Sequence, residues 1–138
     1  MFLEALFIAG FLGRDPALVW LVWEKAQYSV DPIIAIALVE EESWFNPRAV
    51  RLERDSRGRV IGTSWGLYQL CDRWHYQFRD NLPLHCWYGA AYLAWCIHVE
   101  RGDVRRGLTR YNGANGGPWY ADAILAVVRM LRSNPLVR

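Results

Sequence analysis

The 138-residue chain lacks most of the signals that would assign it quickly to a function class. It contains no His-Glu-x-x-His and no Cys-x-x-Cys, so His75, His85 and His98 and the cysteines do not form a recognisable metal-ligand pattern. No glycine-rich phosphate loop follows a strand, because Gly113, Gly116 and Gly117 sit in the wrong context. Ser64-Trp-Gly66 lacks the leading glycine of a nucleophile elbow. No cofactor is implied. Runs of basic residues are also absent: the net charge is +2 and Arg105-Arg106 is the densest basic pair, which excludes the basic stripe of a nucleic-acid reader. Lysine is nearly missing, since every basic residue other than Lys25 is arginine.

Cysteine is scarce and odd in number. Cys86 and Cys96, ten residues apart on one helix, would be separated by about 15 Å, whereas a disulfide needs Cα atoms about 4.4–6.8 Å apart. Either can pair with Cys71, but three reduced, largely buried thiols are the simpler expectation, and no disulfide framework is present. The apolar start Met1 to Gly13 has no basic flank, carries Glu4 and is broken by Arg14-Asp15-Pro16. It is shorter than a membrane span and lacks a signal-peptide pattern, so it reads as a core-facing helix with no stable membrane insertion, a membrane-tethered start being the alternative. The expected setting is a protein made in a host cytoplasm without a signal peptide.

What is present suffices for one folded domain over residues 1–138. Hydrophobic residues make up 53% and charged residues 22%, which excludes global disorder. Eight Trp and seven Tyr either fill a core or line a groove that stacks on flat sugar faces. Asp15-Pro16 and Asp31-Pro32 each set a capping side chain before a proline at the first helical position, opening helices over Ala17–Ala26 and Ile33 to about Ser43. Asn46-Pro47 stops the second. Asp55-Ser-Arg-Gly58, followed by an extended stretch to Thr63, predicts a small hairpin. Helices are expected from Asn81-Leu-Pro83 to Val99, from Asp103 to Arg110, and from Pro118 onward with Tyr120, Ile124, Val127, Val128 and Leu131 on its apolar face. Tyr111 to Gly117 reads as a loop. The fold class is mainly α with a small hairpin lobe, in a chain expected to be monomeric.

The acids Glu40, Glu41 and Glu42 end an apolar helix, where the macrodipole disfavours negative charge. They point about 100° apart, so they cannot share one environment. Glu40 and Glu41 are expected to be mostly solvated. A carboxyl partly desolvated beside Trp44 and Phe45 would have a raised pKa and hold a proton near neutrality, as a general acid must.

Glu42-Ser43-Trp-Phe45-Asn46-Pro47-Arg-Ala49, preceded by Asp31-Pro32-Ile-Ile-Ala-Ile-Ala, resembles the catalytic-helix motif of the soluble lytic transglycosylase and goose-type lysozyme superfamily. Ser64-Trp-Gly66-Leu67-Tyr-Gln69-Leu70 resembles the family's Gly-Leu-Met-Gln segment, and Tyr111-Asn112-Gly-Ala resembles its Tyr-Asn-Ala-Gly motif. Trp119-Tyr120-Ala-x-x-Ile124-Leu125 is similar to the helix that follows. Together these blocks cover roughly residues 31–131. The chain departs from the pattern in having Arg51 where the family often has Ser, and in the placement of the glycines after Asn112.

The resemblance implies a lysozyme-like fold, with a substrate groove between the helices and the hairpin lobe, and cleavage of the β-1,4 bond between N-acetylmuramic acid and N-acetylglucosamine in peptidoglycan glycan strands. It implies Glu42 as catalytic acid, Tyr111 as the residue that orients it by a hydrogen bond, and Ser43, Ser64, Gln69 and Asn112 as substrate-binding residues. A lytic transglycosylase would use Glu42 alone and give 1,6-anhydro products. A hydrolytic lysozyme would need a second group to place water, for which Asp55 is the candidate carboxylate and a simple turn acid is its plainer reading. A phage endolysin suits a signal-less chain. The rivals are a virion-associated wall-binding module without activity and an ordinary helical interaction domain.

Overall fold

The computed structural model describes residues 2–113 and 117–137. Among them the chain forms six helices and a three-stranded antiparallel sheet: α1 (Phe2–Leu12), α2 (Pro16–Ala26), α3 (Pro32–Ser43), β1 (Val50–Arg54), β2 (Val60–Trp65), β3 (Leu70–Cys71), α4 (Leu82–Val99), α5 (Val104–Asn112) and α6 (Gly117–Arg132). The fold is mainly α with a small β lobe, as the helix punctuation predicts. No helix among the described residues is long and apolar enough to cross a membrane.

The caps behave as their chemistry requires. Asp15 accepts from the Ala17 amide and Asp31 from the Ile33 amide, each with proline at the first helical position. Asn81 and Asp103 do the same for α4 and α5. Each satisfies an amide that a helix start would otherwise leave open.

Helix α3 is the axis of the core. Ile33 through Val39 are all buried, so the segment is apolar on every side, and it packs between α2 and α6. Burying it completely leaves its acidic C-terminal turn as the place where the helix emerges. The N-terminal helix is less internal than expected: Ala5, Ile8 and Ala9 face α2, while Leu3, Phe7 and Phe11 are exposed on the far side. The three cysteines are unpaired, with Cys86 and Cys96 buried and Cys71 half-buried.

The sheet is larger by one strand than the predicted hairpin. Its register pairs Arg51 with Ser64 and Ser64 with Cys71, and pairs Glu53 with Gly62. Side chains alternate along a strand and directly opposed residues share a face. Arg51, Glu53, Ser64 and Cys71 therefore stand on one face, and that face turns toward the helices. Val50 and Leu52, the apolar alternates, are exposed. A one-sided sheet normally buries its apolar face; here the polar face is the inward one, with Ser64 buried and Arg51 half exposed at a groove, which marks it as a site wall. The register shifts between Glu53 and Arg54, just before the turn at Asp55.

Gly66 links the sheet to α4. Its φ is +75°, and a Cβ there would lie 2.8 Å from the His85 ring. His85 Nε2 accepts from the Tyr68 amide at 3.0 Å, and burial holds the imidazole down at about 4, so it stays a neutral acceptor. This tie fixes the segment that carries Gln69.

Candidate active site

A groove of about 660 Å³ separates the end of α3 and the helices α4 to α6 from the polar face of the sheet. Glu41 and Glu42, Arg51, Glu53, Ser64, Gln69, Tyr111, Asn112 and Tyr120 all contribute to its lining, with Trp74 and Trp119 on its exposed rims. The volume lies within the range of small-molecule clefts.

The three consecutive acids have three different environments. Glu40 is held by Arg14 through both carboxylate oxygens, at 2.9 and 2.6 Å, so it is an ion-paired acid rather than a solvated one. Glu41 lines the groove. The Glu42 side chain is only 3% exposed, and its nearest cation, the Arg51 guanidinium, stays 3.7 Å away. The Tyr120 hydroxyl donates to Glu42 Oε1 at 2.5 Å. Burial is the largest influence and lifts the carboxyl to about 7; the Tyr120 hydrogen bond and Arg51 pull against it, while Glu53 and Glu41 push with it. The desolvation does not come from the aromatics next in sequence. Trp44 is 71% exposed, and Phe45 is buried in the core cluster. Tyr120 itself is pushed well above its ordinary value, first by burial and then by the Glu42 charge, so it remains a hydroxyl donor.

Tyr111 does not make the expected hydrogen bond. Its hydroxyl donates to the Tyr68 carbonyl at 2.6 Å, tying α5 to the segment after β2, and the bond to Glu42 comes from Tyr120 instead. Tyr111 and Asn112 are also the last turn of α5 rather than loop. They line the groove, with Tyr111 close enough for the Glu42 charge to raise its pKa further after burial has done so. The glycine-rich remainder of that motif, residues 114–116, lies outside the described residues.

Ser43 faces away from the groove. Its hydroxyl is shared between the Val39 and Leu67 carbonyls, so it fastens the end of α3 to the Gln69 segment. Gln69 Nε2 donates to the Ala49 and Gly66 carbonyls at 3.0 and 2.9 Å, which holds its side chain at the groove wall. Ser64 is buried and donates to Glu53 Oε1 at 2.6 Å; Arg51 Nε donates to the same oxygen at 3.0 Å.

Asp55 is not the second carboxylate of this groove. It sits at the β1–β2 turn, accepting from the Arg57 and Arg59 amides and pairing with the Arg59 side chain, and these contacts lower its pKa, the Arg59 amide most of all. Glu53, two residues earlier, takes the groove position. Register explains the difference, because Glu53 shares a sheet face with Arg51 whereas Asp55 follows the shift and belongs to the turn. Sequence reasoning missed Glu53 and the role of Tyr120, and it recorded Arg51 only as a departure from the motif. The alternation Val50-Arg51-Leu52-Glu53 was the available signal.

Backbone strain is concentrated here. Trp44 and Phe45 have φ of +53° and +57°, and Gln69 has φ of +48°. Three of the four non-glycine residues with positive φ among the described residues thus adjoin Glu42 or line its groove. Such conformations cost roughly 1–3 kcal/mol each and cluster at functional sites. No group of His, Cys, Asp and Glu among the described residues is arranged to hold a metal ion.

Comparison with protein-family models, with curated proteins and with solved structures gives no match.

Proposed function

We propose that the protein is a glycosidase that cleaves the β-1,4 bond between N-acetylmuramic acid and N-acetylglucosamine in peptidoglycan, with Glu42 as its general acid. The observation that carries this is a buried carboxyl, lifted to about 7 and open to a groove of about 660 Å³. Glycoside cleavage needs a proton delivered to the leaving oxygen while the sugar acquires oxocarbenium character. Glu42 carries that proton at neutral pH, and Tyr120 aims the carboxyl and stabilises the carboxylate left behind. The motif resemblance supplies the substrate. As a phage endolysin, the enzyme would act on a bacterial host wall.

In the first mechanism the Glu42 proton passes to the glycosidic oxygen as the C1–O bond breaks. The C6 hydroxyl of the muramic sugar then attacks C1, and its proton returns to Glu42, giving a 1,6-anhydro end without water. Glu53 favours a second reading. It lies in the same groove beside Arg51 and Ser64, which both donate to its Oε1 and leave Oε2 uncommitted to either. A carboxylate so placed is suited to direct a water at C1, which would give a hydrolytic lysozyme.

Digestion of purified peptidoglycan with wild type and Glu42→Gln, with the released muropeptides weighed by mass spectrometry, tests both. Products lighter by one water, absent with the variant, would establish a lytic transglycosylase. Reducing-end products from wild type alone would establish a lysozyme and bring Glu53 forward. No release by either folded protein would overturn the enzyme reading in favour of a wall-binding module.

A further inference from the structure

Five of the eight tryptophans are more than half exposed, although tryptophan is among the residues that burial favours most on average. Trp74 and Trp119 are accounted for by the groove. Trp87 and Trp95 are not, for they stand on the outer surface of α4 at 54% and 51% exposure and belong neither to the groove lining nor to the core cluster. On a helix they lie eight residues apart, about 12 Å along the axis, with Ala91 between them on the same slowly turning stripe. That leaves two flat indole platforms with a shallow gap between, spaced at about the length of a disaccharide unit.

The stripe is joined to the groove. Tyr92 lines the groove and stacks on Trp95, with ring centroids 5.8 Å apart and planes 17° from parallel. A continuous aromatic surface therefore runs from the groove wall over the edge of α4. An indole offers an apolar face to sugar C–H groups and an N–H edge to their hydroxyls, the same chemistry that Trp74 and Trp119 present at the groove rims.

We propose that the outer face of α4, with Trp87 and Trp95 as its platforms, is a second binding surface for peptidoglycan glycan strands, continuous with the groove through Tyr92. This rests on the groove being a glycan site. Its role is to keep the enzyme on an insoluble polymer between cleavages, so it matters for sacculi and not for short soluble chains that fill only the groove.

The test uses the full chain. Trp87→Ala/Trp95→Ala in the Glu42→Gln background should bind purified insoluble sacculi roughly ten-fold more weakly than Glu42→Gln alone. The same pair of changes in the active protein should slow sacculus digestion and leave cleavage of a soluble glycan fragment unchanged. Ala91→Arg, which fills the gap without removing any packing, should reproduce the binding loss if the double variant folds poorly. Unchanged sacculus binding, with soluble fragments still cleaved, would overturn the α4 surface and leave the groove reading intact. Loss of self-association in sedimentation without loss of sacculus binding would also overturn it, assigning the face to a second copy of the chain. If wild type cleaves neither substrate while the stripe still governs sacculus binding, the surface stands and the enzyme reading falls.

Discussion

The two walls of the groove are made of opposite materials. On the helical wall the surroundings of Glu42 are dry: the carboxyl is buried at the end of α3, and what reaches it is the hydroxyl of Tyr120, with Tyr111 beside it. The sheet wall is ionic: Arg51, Glu53 and Ser64 form a hydrogen-bonded set in which one carboxylate oxygen accepts from both neighbours. The Glu42 carboxyl, denied water on the helical wall, is lifted to about 7 by its burial, whereas Glu53 is held by two donors on the sheet wall.

The contrast breaks most sharply at Tyr120. Tyr120→Phe removes the one side-chain hydrogen bond to Glu42 among the described residues and should lower kcat/KM on peptidoglycan by roughly ten-fold or more. That bond favours the carboxylate and so lowers the Glu42 pKa; without it the alkaline limb of the pH–rate profile should move to higher pH. Tyr111→Phe, which loses a bond to a backbone carbonyl instead, should leave that limb in place. A limb that responds to Tyr111 and not to Tyr120 would contradict the geometry.

On the other wall, Glu53→Gln removes a charge that raises the Glu42 pKa, so the alkaline limb should move in the opposite direction, to lower pH. If Glu53 directs water, reducing-end products should fall by about ten-fold while any anhydro products persist. Product analysis across the pH range separates the electrostatic effect, which scales all products together, from the loss of water placement, which does not.

How much of this was legible in the sequence follows from what each feature depends on. The helices with Asp-Pro starts are written locally, and so is the turn at Asp55, because a cap or turn side chain bonds amides two to four residues away. The apolar run of α3 and its acidic end are equally local, which is why Glu42 stands out before any fold is known. The strand β3 is two residues long and carries no pattern of its own. The partner of Glu42 lies 78 residues away on a helix whose periodicity marks Tyr120 only as apolar-facing. Tyr111 and Tyr120 are interchangeable to a pattern, and only the rotation of α6 against α3 decides which hydroxyl arrives. Glu53 and Asp55 likewise differ by the register of a pairing that no residue type announces.

Stability offers a smaller effect with a definite sign. The Glu42 carboxyl is near 4.5 when unfolded and about 7 in the fold, so the folded state binds more protons between those values. Stability that is fully present below about pH 4.5 is therefore lost as the pH rises through 7. Glu42→Gln has no charge to bury and keeps an acceptor for Tyr120. It should match wild type near pH 4 and exceed it at pH 8 by at most about 3 kcal/mol, measured as a difference in thermal midpoint at the two pH values. Equal midpoints at pH 8 would mean that water reaches the carboxylate and that the helical wall is not dry.

The smallest effect is expected at Asp55, and it is informative because the residue is so close in sequence to Glu53. Asp55 Oδ1 accepts from two amides of its own turn and Oδ2 meets the exposed Arg59 guanidinium. Asp55→Asn keeps an oxygen for the two amides and removes a surface charge, so turnover on peptidoglycan should stay within about two-fold of wild type. Its product ratio should be unchanged, in contrast to Glu53→Gln. A loss of reducing-end products on Asp55→Asn but not on Glu53→Gln would move the water-directing role to the hairpin turn. The turn would then have to fold inward over the groove when substrate binds, and the ionic wall would be a support for that movement rather than part of the chemistry.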